Sequence, residues 1–316
     1  MSSTIHRLGG TTMGTTWSVL VVAAAGADLR RLHFVVQREL DTVVAEMSNW
    51  QADSSISRFN RASAGSAHRL PEGFCRVLRA AQQIAEASDG AFDPTLGALV
   101  DGWGFGPSRT LDTAMVDELD RLRAASGWHR LQWQDDVHIV QPGGLQLDLC
   151  GIAKGHAVDA VTASLRHSGI GAALVEVGGE LQGYGRKPDG DAWRVIVEGW
   201  QGDEDDAQPA RIVELDDLAV ATSGDRWHHR EHNARRESHT LDPRTGRPLA
   251  DAPTAVTVLM QSAMQADGWA TALGVLGCEA GFELACARGI AARFIDNAAR
   301  DYRERMTPAF QGRLLA

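Results

Sequence analysis

LDLCGIAKG, at residues 147–155, is the stretch of sequence that decides how we interpret the fold. Its apolar first half predicts the end of a strand, and the residues from Lys154 onward predict the start of a helix. Gly151 and Gly155 stand where the backbone must approach another group closely. Backbone N–H groups at a helix start attract anions, and Lys154 adds a cation. The stretch therefore predicts either a phosphate site or a tight turn, although the P-loop pattern GxxxxGK[ST] is not met.

Helical and strand patterns alternate on both sides of this stretch, which predicts an α/β class protein with mixed sheets. Helical patterns cover residues 29–47, 74–88, 113–126, 154–166 and 261–276. Strand patterns cover residues 17–22, 173–177, 193–198, 218–222 and 255–260, and a meander of short antiparallel strands is predicted within residues 129–149. We expect one domain over residues 1–316, with two lobes divided near residue 130.

Composition and charge exclude several classes of protein. With 44% hydrophobic and 23% charged residues among 316, the chain is typical of a folded globular protein. A net charge of -10 argues against nucleic acid as a partner, because a phosphate-binding surface needs clustered Lys and Arg. The first residues contain no apolar signal segment, and no later apolar run is long enough for a bilayer. We therefore expect no membrane span and a cytoplasmic location.

Two oxygen-bearing side chains share one face of the helix predicted at residues 261–276. Asp267 and Thr271 are four residues apart, so they lie one turn apart on the same side. Mg²⁺ takes oxygen ligands and keeps open positions for substrate phosphates, so this pair with a backbone carbonyl predicts a magnesium site. The alternative is an ordinary helix with a surface Asp and an incidental Thr.

Polar loops between the strand patterns supply further candidates. Residues 221–225 and 238–246 are rich in turn residues, and such loops often carry function. His239 could accept a proton near neutral pH, or it could be an ordinary surface histidine. Met13-Gly14-Thr15 and Asp93-Pro94-Thr95 are ambiguous in isolation.

Taken together and in order, these segments resemble the ApbE family of flavin transferases, the FAD:protein FMN transferases. The resemblance covers nearly the whole chain. The matching segments are Met13-Gly14-Thr15, residues 48–60, Gly90-Ala91-Phe92-Asp93-Pro94-Thr95 with Trp103-Gly104-Phe105-Gly106, residues 148–155, Val177-Gly178-Gly179-Glu180, residues 221–225, residues 238–246, and Ala266-Asp267 with Thr271.

The resemblance implies an ApbE-like fold in which two lobes surround an FAD cleft, and it implies a set of site residues. FAD contacts are expected from Met13, Trp50, Ala91, Phe92, Asp93, Asp148, Lys154, Thr222 and Ser238. Magnesium is expected on Asp267, Thr271 and the carbonyl of Gly151, with Ala153 as the alternative carbonyl. Because the family often has Tyr where Trp50 stands, Trp50 is expected to contact the ligand and to take no part in the chemistry.

The reaction implied is a Mg²⁺-dependent transfer of FMN from FAD to a threonine or serine hydroxyl of an acceptor flavoprotein, with release of AMP. An attacking hydroxyl needs a base near neutral pH, and His239 is the first candidate, with Asp267 as the alternative. Two other functions suit the same residues: an FAD pyrophosphatase that yields FMN and AMP, and a non-catalytic FAD-binding protein. The acceptor is expected to be cytoplasmic.

Overall fold

The chain folds into two compact units in the computed structural model, which describes residues 3–107, 116–197, 210–224, 229–232, 235–249, 255–298 and 301–315. The first unit comprises Met1–Asp41, Lys154–Gly224 and Pro253–Ala316, and the second comprises Thr42–Ala153 and Asp225–Ala252. Residue 130, where the change of pattern suggested a division, lies inside the second unit. The single domain over residues 1–316 stays a prediction.

The five predicted helices are present, and only α7 (Ala263–Ala287) departs from its expected bounds by more than a few residues. The helices are α1 Leu29–Met47, α2 Ser55–Asn60, α3 Glu72–Ala87, α4 Gly97–Gly102, α5 Val116–Ala125, α6 Ala153–His167, α7 Ala263–Ala287 and α8 Pro308–Gln311. Residues 113–115, at the predicted start of the third helix, lie outside the described residues.

The strands include those predicted and several that were not. They are β1 Ser3–Thr12, β2 Thr15–Ala24, β3 Ala67–Arg69, β4 Gln132–Trp133, β5 His138–Val140, β6 Ala173–Val177, β7 Glu180–Tyr184, β8 Trp193–Val197, β9 Arg211–Leu215, β10 Leu218–Ser223, β11 His229–His232, β12 Arg235–Ser238, β13 Leu241–Asp242, β14 Arg247–Pro248, β15 Ala255–Met260, β16 Ala291–Ala298 and β17 Asp301–Met306.

An eight-stranded antiparallel sheet forms the centre of the first unit, in the order β1-β2-β6-β7-β10-β15-β16-β17. Strand β10 shows how both faces of this sheet are covered, because four successive residues from Leu218 to Ala221 are buried. Leu218 and Val220 pack into one apolar cluster with the two-stranded ribbon β8–β9 and with α8. Since side chains alternate along a strand, Ala219 and Ala221 face the other side, where α7 packs. Strands buried on both faces read as continuous apolar runs.

Helix α7 packs against β10, β15 and β16. Ser262 is its N-cap, and the Ser262 Oγ accepts a hydrogen bond from the N–H of Gln265. The backbone leaves helical conformation at Gly277 (φ 80°, ψ 179°), directly after residue 276, where the apolar pattern predicted the end. By length and composition alone, the whole of Ala263–Ala287 could cross a membrane. This finding corrects the expectation that no run is long enough, and the absence of a membrane span stays a prediction.

The second unit contains the amphipathic helix α3. Pro71 precedes this helix, and its buried residues recur every three or four positions, as in Phe74, Val77, Leu78 and Ala81. A three-stranded sheet in the order β3-β5-β4 belongs to the same unit.

The predicted meander at residues 129–149 is only partly present. Strands β4 and β5 lie there, whereas Leu147–Leu149 do not form a strand, contrary to expectation. The physical reason is that side chains, and not a neighbouring strand, form the hydrogen bonds of the Leu147 backbone. The Leu147 N–H donates to Asn60 Oδ1 (2.7 Å), and the Leu147 carbonyl accepts from the Nδ2 groups of Asn60 (2.9 Å) and Asn49 (3.3 Å). An apolar pattern does not reveal such partners.

Candidate active site

In the first unit, a buried carboxylate on α7 is bonded to the start of α6. The Oδ2 atom of Asp267 accepts a hydrogen bond from the N–H of Gly155 at 2.9 Å, and only 5% of Asp267 is exposed. Burial raises the pKa of Asp267, while Lys154 and the Gly155 N–H oppose that rise. Thr271, one turn further along α7, is half-buried. The structure therefore brings Lys154, Gly155 and Asp267 together, as a phosphate and metal site would require.

Close contact between α6 and α7 depends on Gly155. A Cβ atom at this position would lie 2.2 Å from the Ala263 carbonyl oxygen and 2.8 Å from the Asp267 Cβ. Such distances are impossible without moving a helix, so the glycine has a packing reason. The sequence singled out Gly155 for close approach of the backbone, and the structure shows that its neighbour is a second helix.

A further carboxylate, Glu180, lies beside Lys154. Glu180 is the first residue of β7 and only 1% exposed, and its Oε1 accepts a hydrogen bond from Lys154 Nζ at 2.5 Å. Burial raises the pKa of Glu180 to about 8, with the nearby charge of Asp267 adding to the rise and Lys154 opposing it. The motif Val177-Gly178-Gly179-Glu180 is one of the segments that carry the family resemblance, yet no role was predicted for Glu180. The sequence feature that could have pointed to Glu180 is its position, because it is a charged residue that begins an apolar strand directly after a Gly-Gly turn.

The start of α7 is held by another carboxylate that sequence reasoning missed. Asp159, on α6, accepts hydrogen bonds from Ser262 Oγ (2.6 Å) and from the N–H groups of Ala263 (2.8 Å) and Met264 (3.1 Å). The first N–H groups of a helix have no partners within that helix, so Asp159 supplies them from outside. Helix α6 thus fixes α7 at two points, Asp159 and Gly155.

Two other predicted ligand contacts lie in the first unit. Met13 and Gly14 form the two-residue turn of the β1–β2 hairpin, and both have positive φ (48° and 72°), as a type I′ turn requires. The Met13 side chain is half-buried. Thr222 is exposed near the end of β10, and its Oγ1 lies 2.9 Å from Oγ1 of Thr257 on β15.

In the second unit, Asp93 organises a turn. Its Oδ1 accepts hydrogen bonds from the N–H (2.8 Å) and Oγ1 (2.6 Å) of Thr95, and its Oδ2 accepts one from the N–H of Trp128 (3.0 Å). Burial raises the pKa of Asp93, while these bonds oppose the rise. The side chains of Ala91 and Phe92 are buried, so we expect any ligand contact there to come from their backbone.

Asp148 lies beside this turn and leads the chain toward α6. The Asp148 N–H donates to the carbonyl of Pro94 at 2.9 Å, and Asp148 Oδ1 accepts from the N–H of Cys150 at 2.7 Å. Gly151 follows and is half-buried. The structure therefore joins two of the predicted FAD segments, residues 91–95 and 148–151, through one backbone bond.

The remaining predicted residues of the second unit are Trp50, Ser238 and His239. Trp50 is 57% exposed, which is unusual for so large an aromatic side chain and leaves its ring accessible to a flat ligand. Ser238 ends β12 and is buried, and its Oγ accepts from the N–H of Thr240 at 3.0 Å. His239 is half-buried in the bend that follows.

The donor set of α7 fits magnesium better than a transition metal. Among the residues that the structure describes, no three His, Cys, Asp or Glu side chains are grouped as a metal site. Asp267 and Thr271 offer carboxylate and hydroxyl oxygens, which are the ligands that Mg²⁺ prefers. A buried carboxylate whose pKa is raised by burial also gains from a nearby cation. These residues therefore fit the ion that the sequence predicted.

Comparisons with known proteins point to one family over nearly the whole chain. The model of the ApbE family matches residues 13–294. An FAD:protein FMN transferase of Vibrio cholerae is 36% identical over 307 residues, which cover 96% of this chain and 91% of that relative. This chain is also closely similar to solved structures. The flavinyl transferase ApbE of Pseudomonas stutzeri, in its apo form, has a TM-score of 0.91 at 38% identity and covers 100% of this chain and 98% of that one.

A second solved structure, the flavin transferase ApbE from Vibrio cholerae, has a TM-score of 0.90 at 35% identity, with 99% of this chain and 100% of that chain covered. The expected fold class and the resemblance to flavin transferases are both confirmed. This chain belongs to the ApbE family.

Proposed function

We propose that this chain is a Mg²⁺-dependent FAD:protein FMN transferase, which moves FMN from FAD to a Thr or Ser hydroxyl of an acceptor flavoprotein. Membership of the ApbE family and the similarity of the chain to FAD:protein FMN transferases support the transferase activity. One observation carries the proposal in the structure. Asp267 is buried, bonded to the start of α6, and under the influence of the Lys154 ammonium, so one small region offers a cation for phosphate and a carboxylate for a metal ion.

The proposed metal ligands are Asp267, Thr271 and one backbone carbonyl, from Gly151 or Ala153. The bond to the Gly155 N–H uses Oδ2 of Asp267, so Oδ1 is the oxygen that we assign to the metal. When bound, Mg²⁺ would neutralise charge on the pyrophosphate of FAD and on the departing AMP.

The residues proposed to bind FAD have distinct roles. Lys154 is assigned to phosphate, because an ammonium is a compact charge that suits phosphate oxygens. Trp50 is assigned to a flat ring, in keeping with its exposed aromatic surface. Met13, Asp148, Thr222, Ser238 and the turn at Ala91, Phe92 and Asp93 are proposed as further contacts.

The transfer forms a bond between the acceptor oxygen and the FMN-side phosphorus and breaks the bond from that phosphorus to the oxygen that leaves with AMP. The proton of the acceptor hydroxyl must go to a base, for which we propose His239. Asp267 is the alternative. Its raised pKa would make it a stronger base, but a carboxylate that holds a metal ion is a poor proton acceptor.

Mass spectrometry of a candidate acceptor flavoprotein, incubated with this chain, FAD and Mg²⁺, tests the proposal. A transferase adds the mass of one FMN group to the acceptor and releases one AMP for each group added. An FAD pyrophosphatase releases AMP and FMN without any acceptor. A non-catalytic binding protein does neither, and either of these last two results would contradict the proposal.

The compartment belongs to the proposal as well. We propose a cytoplasmic location for the chain and for its acceptor, and separation of cell fractions followed by immunodetection tests it. Recovery of the chain in the membrane or in an exported fraction would contradict this location.

A further inference from the structure

We propose that Glu180 is a positioning residue, which holds the Lys154 ammonium in place for a phosphate group of FAD. This inference rests on the proposed function, because it takes FAD as the ligand. Glu180 is anchored at the start of β7, where Val177 of β6 pairs with it, and its side chain is buried. The side chain of Lys154 is 34% exposed, whereas that of Glu180 is only 2% exposed. Lys154 therefore reaches from a buried anchor toward solvent.

The geometry around Lys154 favours a fixed ammonium. Gly178 and Gly179 have positive φ (59° and 103°) and form the turn between β6 and β7. A Cβ at Gly178 would lie 3.3 Å from Cδ of Lys154 and 2.8 Å from Cγ2 of Thr15. The turn thus leaves a narrow space for the lysine stem. Lysine loses considerable rotamer entropy when it is ordered, so a stem held before FAD arrives makes binding less costly.

The alternative is that Glu180 only stabilises the fold, and its second oxygen argues against this. In the described part of the chain, Oε2 of Glu180 is buried and has no hydrogen-bond partner. Buried polar atoms normally have partners, and a buried ion pair is often no more stabilising than apolar residues of the same volume. A buried carboxyl group with one unsatisfied oxygen therefore contributes less to the stability of the fold than an apolar side chain of the same volume would. Its bond to Lys154 gives a reason for its presence.

Two substitutions separate the position of the acceptor atom from the kind of group that carries it. Glu180→Gln keeps the length of the side chain and an oxygen that can accept from Lys154. Glu180→Asp keeps the carboxyl group but is one methylene shorter, so its oxygens no longer reach the ammonium in the same place. Isothermal titration with FAD should show near-normal affinity for E180Q and a roughly tenfold weaker affinity for E180D, the size expected from one charge-assisted hydrogen bond.

The Lys154→Met background supplies the decisive control. If Glu180 acts through Lys154, E180D should change FAD affinity little once Lys154 has been replaced, because the group that it positions is gone. Both substitutions are small, so we expect folded protein in each case, and thermal unfolding checks this.

Three outcomes would overturn the inference. They are an E180D protein with unchanged FAD affinity, an E180Q protein that loses as much as E180D, and a loss of equal size in the Lys154→Met background. If the unmodified chain binds FAD and one of these results is found, only the role of Glu180 fails. If the unmodified chain does not bind FAD, the proposed function and this inference both fail.

Discussion

At the scale of single residues, Asp267 illustrates a conflict between stability and function. Burial raises its pKa, which means that the folded state disfavours the charged carboxylate. Asparagine has the same shape, cannot ionise and can still accept from the Gly155 N–H. We predict that Asp267→Asn raises the melting temperature of the metal-free protein by ~2 °C near pH 8 and lowers FMN transfer about 100-fold or more. Scanning calorimetry with EDTA and the transfer assay measure the two effects.

Either half of this prediction can fail separately. A D267N protein that melts lower than the unmodified chain would show that the carboxylate contributes to the fold. Full transfer activity in D267N, or in the unmodified chain with excess EDTA, would rule out Asp267 as a metal ligand.

Glu180 leads to a prediction about pH. The pKa of this carboxyl is about 8 in the folded chain and has an ordinary value of 4.5 when exposed. Between these two values the folded chain keeps the proton and the unfolded chain releases it. The stability contributed by Glu180 is therefore complete below pH 4.5 and is lost as the pH rises to about 8.

We predict that Glu180→Gln flattens the decline in melting temperature of the metal-free protein from about pH 5 to about pH 8. Glu176→Gln is a matched control, because Glu176 lies on β6 before the same turn and its Oε1 accepts from the Gly179 N–H at 3.0 Å. The control should keep the slope of the unmodified chain. Equal slopes in E180Q and the unmodified chain would contradict the raised pKa.

At the scale of elements, the contact between α6 and α7 can be tested with two glycines. Gly155→Ala places a methyl group against the Ala263 carbonyl, so we predict a loss of about 3 kcal/mol in the free energy of unfolding. Gly274→Ala, on α7, meets its nearest atom, Ser223 Oγ, only at 3.9 Å. Helix propensity then dominates, and stability should stay equal or rise by up to about 1 kcal/mol. Urea unfolding measures both, and a stable G155A protein would show that the helices can separate at little cost.

The cap of α7 gives a second prediction for this helix. Asp159→Ala removes the acceptor of three hydrogen bonds at the helix start, so it should lower the free energy of unfolding by about 2 kcal/mol. Asp28→Ala is the comparison, because Asp28 accepts one exposed bond, from the N–H of Arg31 near the start of α1. We expect a loss below ~1 kcal/mol there. Similar losses in the two variants would mean that Asp159 is an ordinary surface cap.

At the scale of the whole molecule, the apolar helix α7 raises the question of membrane association. Its buried residues face the sheet of the first unit, so we predict that the chain does not bind lipid vesicles. Flotation with neutral phosphatidylcholine vesicles is the measurement. Neutral lipid isolates the apolar contribution, because the net charge of -10 would repel anionic lipid in any case. Recovery of the chain with floating vesicles would contradict the prediction.

Much of this architecture could be predicted from the sequence, and the exceptions have physical reasons. Helix α1 and strands β6 and β15 have the predicted bounds, because their apolar spacing has a single clear period. Strand β1 was missed because it is largely exposed and polar at the edge of the sheet. Leu147–Leu149 were mistaken for a strand because the amides of Asn49 and Asn60 satisfy that backbone from a distance in sequence.

The candidate site was predictable to a similar extent. Asp267 and Thr271 could be paired from helical spacing, which is a local property. The bond from Glu180 to Lys154 spans 26 positions, and the bond from Asp159 to Ser262 spans 103. Such contacts follow from the order of strands and helices in three dimensions, so spacing along the chain cannot reveal them.

The break at Gly277 has a consequence for local opening of α7. The non-helical backbone there divides the helix into a part that carries Asp267 and Thr271 and a part that ends at Ala287. Because helical hydrogen bonds reinforce one another only along an uninterrupted run, fraying that begins at the far end should stop at the break. Amide hydrogen exchange would then be slow from Ala266 to Leu276 and faster beyond Gly277. The segment that holds the proposed metal ligands would keep its shape while the remainder of the helix opens and closes.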